Sequence, residues 1–171
     1  DLKYIDEFKL QIGSVEKEDF VIWPHRFAKE KGIDELIEFA KSTTKKIIIT
    51  SSGPARKFKS AVTEYCIKTG IVDLPENIEY RTNLTKLEYF TLMAKAKWYL
   101  STAYQETFGY TIQEAIYFGC NILVPNRACC PEMVPLPNVY SDIKYIDSLF
   151  NNGDLCVPIE WTMRWDNNAK K

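Results

Sequence analysis

Short apolar runs alternate with stretches of helical spacing along most of the chain. Phe20-Val-Ile-Trp23 carries no polar position and reads as a strand. Behind it, Ile33, Leu36, Ile37 and Ala40 recur at the spacing of one helix face. Lys45-Lys-Ile-Ile-Ile-Thr50 is β-branched, short and followed by the turn signal Ser51-Ser-Gly-Pro54, which makes it the clearest strand. Phe58, Val62, Tyr65 and Cys66 predict the next helix, ended near Gly70, and Asn77-Ile-Glu-Tyr80 a further short strand. Thr85-Lys-Leu-Glu88 has the form of a capping box and opens a helix reaching about Ala96. Lys97-Trp-Tyr-Leu-Ser101 and Asn121-Ile-Leu-Val124 are two more strands, the second stopped by Pro125-Asn126. A helix is expected across Ser141 to Phe150.

Strands alternating with helices of about 10–15 residues mean βαβ units and a parallel sheet. Apolar runs without strict alternation fit strands buried on both faces. The expected fold is therefore α/β, a doubly wound parallel sheet. Composition agrees: the 171 residues are 46% hydrophobic and 26% charged, the balance of one globular domain with a substantial core. A net charge of −1 offers no basic surplus for nucleic acid or an anionic membrane. Five cysteines form no C-x-x-C pair and only one His accompanies them, so neither a disulfide framework nor a metal site is expected, and reduced thiols in a cytoplasmic setting fit best. No apolar run approaches the ~20 residues of a membrane span. The chain starts at Asp1 and ends on Asp166-Asn-Asn-Ala-Lys-Lys171, which suggests a piece of a longer protein.

In an open parallel sheet, ligands lie beyond the carboxyl ends of the strands. Three segments fall there. Pro24-His-Arg-Phe-Ala-Lys-Glu-Lys-Gly32 offers Arg26 and Lys31 to an anion. Arg127-Ala-Cys-Cys-Pro-Glu-Met-Val134 follows the Val124 strand. Between them, Ser101 to Ile116 reads as the end of a strand, a turn carrying Glu106, and a helix opening near Gly109 with Glu114 in its first turns. The helix N–H groups and dipole suit phosphate and the two carboxylates suit hydroxyls, a pairing that describes a nucleotide-sugar. Each has an ordinary reading as well. Glu114 lies three residues after Thr111 and could close a capping box. Glu106 could be a solvated turn residue, and Arg26 and Lys31 part of a solvated helix entry. His25, the only histidine, is read as packing or capping, and Cys129-Cys130 as no redox switch.

Motifs in order over roughly residues 20 to 135 resemble the C-terminal, donor-binding half of retaining GT-B glycosyltransferases with the E-x7-E motif, the glycosyl transferases group 1. His25-Arg-Phe-Ala-Lys-Glu-Lys-Gly32 is similar to the group's G-R-L-x-x-E-K-G, and Ser52-Gly-Pro54 to its G-x-G-P turn. Glu106-Thr-Phe-Gly-Tyr-Thr-Ile-Gln-Glu-Ala115 resembles E-G-F-G-L-x-x-x-E-A. Gly119-Cys-Asn-Ile-Leu-Val124 and Pro131-Glu-Met-Val134 resemble G-x-P-V-V and P-E-V-V. The chain departs from the pattern at His25, at Thr107 and at Ala128-Cys129-Cys130, where glycines are usual.

The resemblance implies a Rossmann-like domain, one half of a GT-B architecture, over residues 20–155. Residues 1–19 would be a linker or the start of the domain, and 156–171 a tail in which Trp161, Met163 and Trp165 either cap this domain's core or pack on a missing N-terminal acceptor-binding domain. Arg26 and Lys31 would hold the donor diphosphate, with Glu106 beside the transferred sugar; these three are the implied catalytic residues. Glu114 would accept the ribose hydroxyls, and the backbone of Phe108, Gly109, Tyr110 and Thr111 would cradle sugar and phosphate. Asn83 and Leu84 would meet the base, with Gly53 in the second-strand turn. The donor would be a UDP- or GDP-sugar, and no metal or other cofactor would be needed. The chain alone would transfer poorly. The alternatives are a non-catalytic nucleotide-binding module and a nucleotide-sugar epimerase on the same architecture.

Overall fold

The uninterrupted apolar strands supply two cores at once, because successive side chains point to opposite faces. In the computed structural model, which describes residues 2–51 and 53–151, strand β1 (Glu18–Trp23) sends Val21 and Trp23 into one core and Phe20 and Ile22 into the other. Strand β2 (Lys46–Ser51) divides in the same way, Ile47 and Ile49 against Ile48. The remaining strands are β3 (Ile78–Thr82), β4 (Ala96–Leu100), β5 (Asn121–Pro125) and β6 (Val139–Tyr140). All neighbouring pairs are parallel, in the order β3-β2-β1-β4-β5-β6. This is the doubly wound, Rossmann-like sheet.

Helices cover both faces. Helix α1 (Leu2–Ile12) packs Ile5, Phe8 and Ile12 on the core shared by α4 (Lys86–Lys95) and α5 (Tyr110–Tyr117). On the other face lie α2 (Ile33–Ser42), α3 (Ala55–Thr69) and α7 (Ile146–Asn151). A four-residue turn, α6 (Cys130–Met133), follows β5. The α4 capping box forms as its sequence predicts: Glu88 N–H donates to Thr85 Oγ1 at 3.2 Å and Thr85 N–H to Glu88 Oε2 at 2.7 Å.

Three features go beyond the sequence expectations. Within residues 1–19, the pattern Ile5, Phe8, Ile12 makes a docked helix. Strand β6 is a two-residue edge, with Val139 paired to Val124 and the Tyr140 hydroxyl donating to Ser101 O at 2.7 Å. The helix expected across Ser141 to Phe150 is split into a 3-10 turn, Ile143–Tyr145, and α7. Its start is fixed by Asp142, whose carboxylate accepts from Lys144 N–H. Ser52, Cys156 and the tail 156–171 with Trp161, Met163 and Trp165 lie outside the described residues.

Candidate functional site

Chain direction across the sheet reverses between β1 and β4, and the crevice of such a fold opens there. The segments leaving these two strands are bonded to each other. Tyr104 N–H donates to Glu30 O at 2.9 Å, the Thr102 hydroxyl to Lys31 O at 2.8 Å, and the Trp23 indole to Thr102 Oγ1 at 2.9 Å. Their approach depends on Gly32. It has a left-handed φ of 72°, and a Cβ built on it would lie 1.9 Å from Thr102 O.

This close approach brings Lys31 and Glu106 together across the crevice, with Nζ 2.9 Å from Oε2. Lys31 Nζ also donates to Gln105 O at 3.2 Å. Glu106 Oε1 accepts from Gly109 N–H at 3.1 Å and Thr107 N–H at 3.3 Å. Burial pushes the Glu106 carboxyl upward, but the hydrogen bond and charge of Lys31, with the Gly109 N–H, outweigh it and hold the group below the usual carboxylate range. His25 is buried beside the pair, 5.1 Å from the Trp23 ring, with Nε2 3.5 Å from the Tyr99 hydroxyl. Burial first, then the Lys31 charge, push its pKa down to about 3 against the pull of Glu106, so it is neutral at pH 7.

Beside this cluster lies a cleft of about 270 Å³, lined by Pro24, His25, Arg26, Thr50, Ser51, Leu84, Thr85, Lys86, Tyr89, Tyr110, Thr111 and Glu114. The Thr111 hydroxyl lies 2.8 Å from that of Tyr99, and the Tyr89 hydroxyl donates to Glu114 Oε2 at 2.7 Å. Burial raises the Glu114 pKa; the Tyr89 hydrogen bond and the Lys86 charge offset only part of that. The N–H groups of Tyr110 and Thr111 begin α5 and have no intrahelical acceptor, so an anion in the cleft meets unpaired donors and the positive end of the helix dipole.

The structure therefore gathers the sequence-derived residues in two adjoining groups. Arg26, Leu84, Tyr110, Thr111 and Glu114 line the cleft, while Lys31, Glu106 and Gly109 form the bonded cluster. Arg26 stands 69% exposed and pairs with Glu30. Phe108 is exposed, its ring 5.9 Å from that of Tyr110. Asn83 and Gly53 sit next to the lining residues Leu84 and Ser51 without lining the cleft themselves. The capping box that Thr111 and Glu114 could spell does not form: Gly109 is the N-cap, and no side chain caps the helix. Cys129 Sγ rests 3.5 Å from Met133 Sδ, and burial raises the Cys130 thiol to about 12.

Sequence reasoning missed the partners of these groups. Tyr89 carries no local signal for its bond to Glu114. Arg127 fits the strand-end pattern but serves a different end. It holds Glu35 with both arms, at 2.8 and 2.7 Å, donates to Thr102 O and Ala103 O, and stacks on the Tyr104 ring. It thus ties the Glu106 segment to α2. Next to it Ala128 takes a left-handed φ of 53°, in the segment where the related motif has glycines.

Residues 5–136 match the model of the glycosyl transferases group 1. The chain belongs to this family. Among solved structures, this group 1 chain is similar to sucrose-phosphate synthase from Thermosynechococcus elongatus, at a TM-score of 0.64 and 14% identity over 90% of the chain, spanning 41% of that protein. It is similar to the C-terminal domain of a glycosyl transferase group 1 protein from Francisella tularensis, at TM-score 0.62 and 18% identity, covering 91% of the chain and 87% of that domain. HepE of Anabaena, solved with UDP-glucose, matches at TM-score 0.59 and 17% identity, with 89% of the chain on 43% of HepE. The glycosyl transferase fold is thereby that of a GT-B domain. Among the described residues no helix is long and apolar enough to cross a membrane, and no three His, Cys, Asp or Glu side chains gather as metal ligands would.

Proposed function

We propose that this chain is the donor-binding half of a retaining glycosyltransferase that takes a sugar from a nucleotide-diphospho-sugar, UDP- or GDP-linked. One observation carries the reading. At the switch point of the sheet, a cleft lined by Arg26, Glu114 and the N-terminus of α5 adjoins the bonded pair of Lys31 and Glu106. The donor's diphosphate would lie against the Tyr110 and Thr111 amides, with Arg26 and Lys31 as its cations. Charge developing on the departing diphosphate would then meet fixed donors without a metal. Glu114 would take the ribose hydroxyls. Glu106 would hold Lys31 and stand beside the transferred sugar.

The partial coverage of the larger relatives supports a second, acceptor-binding domain elsewhere in the same protein. That UDP-glucose occupies HepE, on the same fold, supports the donor class. Half a cleft neither positions an acceptor nor excludes water, so this chain alone should bind donor and transfer sugar poorly.

Calorimetric titration with UDP, GDP and ADP tests the reading. One nucleotide should bind preferentially, and Arg26→Ala and Glu114→Ala should each weaken it about tenfold. Silence toward all three in both this chain and the full-length protein would overturn it. In the full-length protein, Glu106→Gln should lower turnover more than affinity; a pure binding module would lose affinity alone.

A further inference from the structure

Arg26 lines the cleft at the switch point, whereas the next three residues, Phe27, Ala28 and Lys29, line a separate cleft of about 330 Å³ against α2 and α3. Its size is at the small end of ligand pockets, about 300–1,000 Å³. Phe27, Ile33, Ala61 and Tyr65 make its apolar wall. That wall is in place before any ligand arrives. The Phe27 ring stands edge-on to Phe58 at 5.3 Å and to Tyr65 at 5.6 Å, and the Tyr65 hydroxyl bridges α3 to α2 by donating to Asp34 Oδ1 at 2.9 Å. Four charged side chains also line the cleft. Lys68 and Glu64, one turn apart on α3, pair with each other. Among the described residues no carboxylate pairs with Lys29 and no cation with Asp34. The Tyr65 hydrogen bond satisfies one Asp34 oxygen without neutralising its charge. A singly charged ligand would meet Lys29 or Asp34 with its own sign, and a neutral one would leave both unanswered. A ligand with both signs beside an apolar body complements the whole lining.

We infer that this second cleft is an effector site for a small zwitterion with an apolar body, the chemistry of a free amino acid with an apolar side chain. The ligand's carboxylate meets Lys29, its ammonium meets Asp34, and its body lies on Phe27 and Tyr65. The site stands on the cleft alone, while its effect on nucleotide rests on the nucleotide-binding reading above. Lys29 opens the 3-10 turn Lys29–Lys31, which carries Lys31 to Glu106. In the same turn the Glu30 carbonyl accepts from the N–H groups of Tyr104 and Gln105, at 2.9 and 3.3 Å. Holding Lys29 fixes that turn, so part of the ordering that a nucleotide must otherwise impose is already met.

The test is an NMR titration of this chain with L-phenylalanine and with two probes that keep its ring, 3-phenylpropionate and phenethylamine, read at the amides of residues 27–34 and 61–69. L-phenylalanine should bind with a Kd of about 1 mM, the scale its size allows. Each singly charged probe should bind about threefold more weakly. Lys29 and Asp34 are both exposed, so their variants should fold. Lys29→Gln should remove the advantage over phenethylamine, and Asp34→Asn the advantage over 3-phenylpropionate. Ala61→Phe, which fills the cleft, should abolish binding. Equal affinity for the three probes, shifts confined to other residues, or preferences unchanged in the two charge variants would overturn the site. Calorimetry should show UDP binding about threefold tighter when L-phenylalanine is saturating. Unchanged UDP affinity would overturn the effector role while the site stands. Failure of any nucleotide to bind would overturn the donor reading and the effector role together, and the probe titration would still decide the second cleft.

Discussion

Replacing Gly32 by alanine drives a methyl group into the backbone of the segment that carries Glu106. The left-handed backbone alone costs a non-glycine residue about 1–2 kcal/mol. The larger effect is steric. A Cβ at this position falls 1.9 Å from Thr102 O and 2.7 Å from its carbonyl carbon, whereas ordinary contact begins near 3.4 Å. Residues 102–105 must therefore retreat by more than about 1 Å, an overpacking strain of about 1–3 kcal/mol. That movement breaks the bonds of Tyr104 and Thr102 to Glu30 and Lys31, which hold Lys31 against Glu106.

Gly70 is the natural control, because its φ is 70° and a Cβ there meets nothing within 4 Å. At about 2–4 °C per kcal/mol for a domain of this size, Gly70→Ala should lower the melting temperature by about 2–8 °C and Gly32→Ala by roughly twice as much. Scanning calorimetry reads the difference, and nucleotide titration reads its consequence: Gly32→Ala should lose affinity while Gly70→Ala keeps it. Equal melting temperatures with equal affinities would show that the two segments are not held by this contact, and the assembly argument would fail.

Two further perturbations follow from the same site. The folded His25 pKa of about 3 lies below its ordinary 6.5, so stability is fully present above the unfolded value. It is lost on acidification through that window, with a slope of at most about 1.4 kcal/mol per pH unit. His25→Gln should flatten this acid limb in urea unfolding measured across pH, and identical limbs would contradict the burial argument. Arg127→Lys keeps the charge but not the two-armed hold on Glu35 or the carbonyl bonds to residues 102 and 103. It should cost about 1–3 kcal/mol by urea midpoint and weaken nucleotide binding, and an unchanged midpoint would remove Arg127 from the support of the Glu106 segment.

What the sequence made legible is what local chemistry encodes. The run Ile47-Ile-Ile49 had to be a strand buried on both faces, and an alternation of such runs with helical faces had to wind a parallel sheet. The strand ends then pointed to Arg26, Lys31, Glu106 and Glu114 as neighbours, since topology places those ends along one edge. What stayed hidden is pairing at long range. Arg127 meets Glu35 across 92 residues and Tyr89 meets Glu114 across 25, and no periodicity marks either bond. Strand β6 was equally silent, because two residues carry no alternation and owe their pairing to β5 and the Tyr140 anchor.

The two Thr-x-x-Glu stretches of the chain separate these kinds of information. Thr85-Lys-Leu-Glu88 and Thr111-Ile-Gln-Glu114 spell the same local pattern, yet only the first forms a capping box. Thr85 is exposed, sits at the N-cap of α4, and among the described residues bonds with its side chain only to Glu88. At α5 the N-cap is taken by Gly109, whose left-handed backbone turns the chain into the helix two residues earlier. Thr111 is thus already inside the first turn, where its hydroxyl cannot reach round to the N–H three residues on. Hydroxyls from β4 and α4 then engage both side chains, Tyr99 with Thr111 and Tyr89 with Glu114. A glutamate that local pattern would spend on its own helix is left lining the cleft instead, its carboxylate held by a tyrosine of the neighbouring helix.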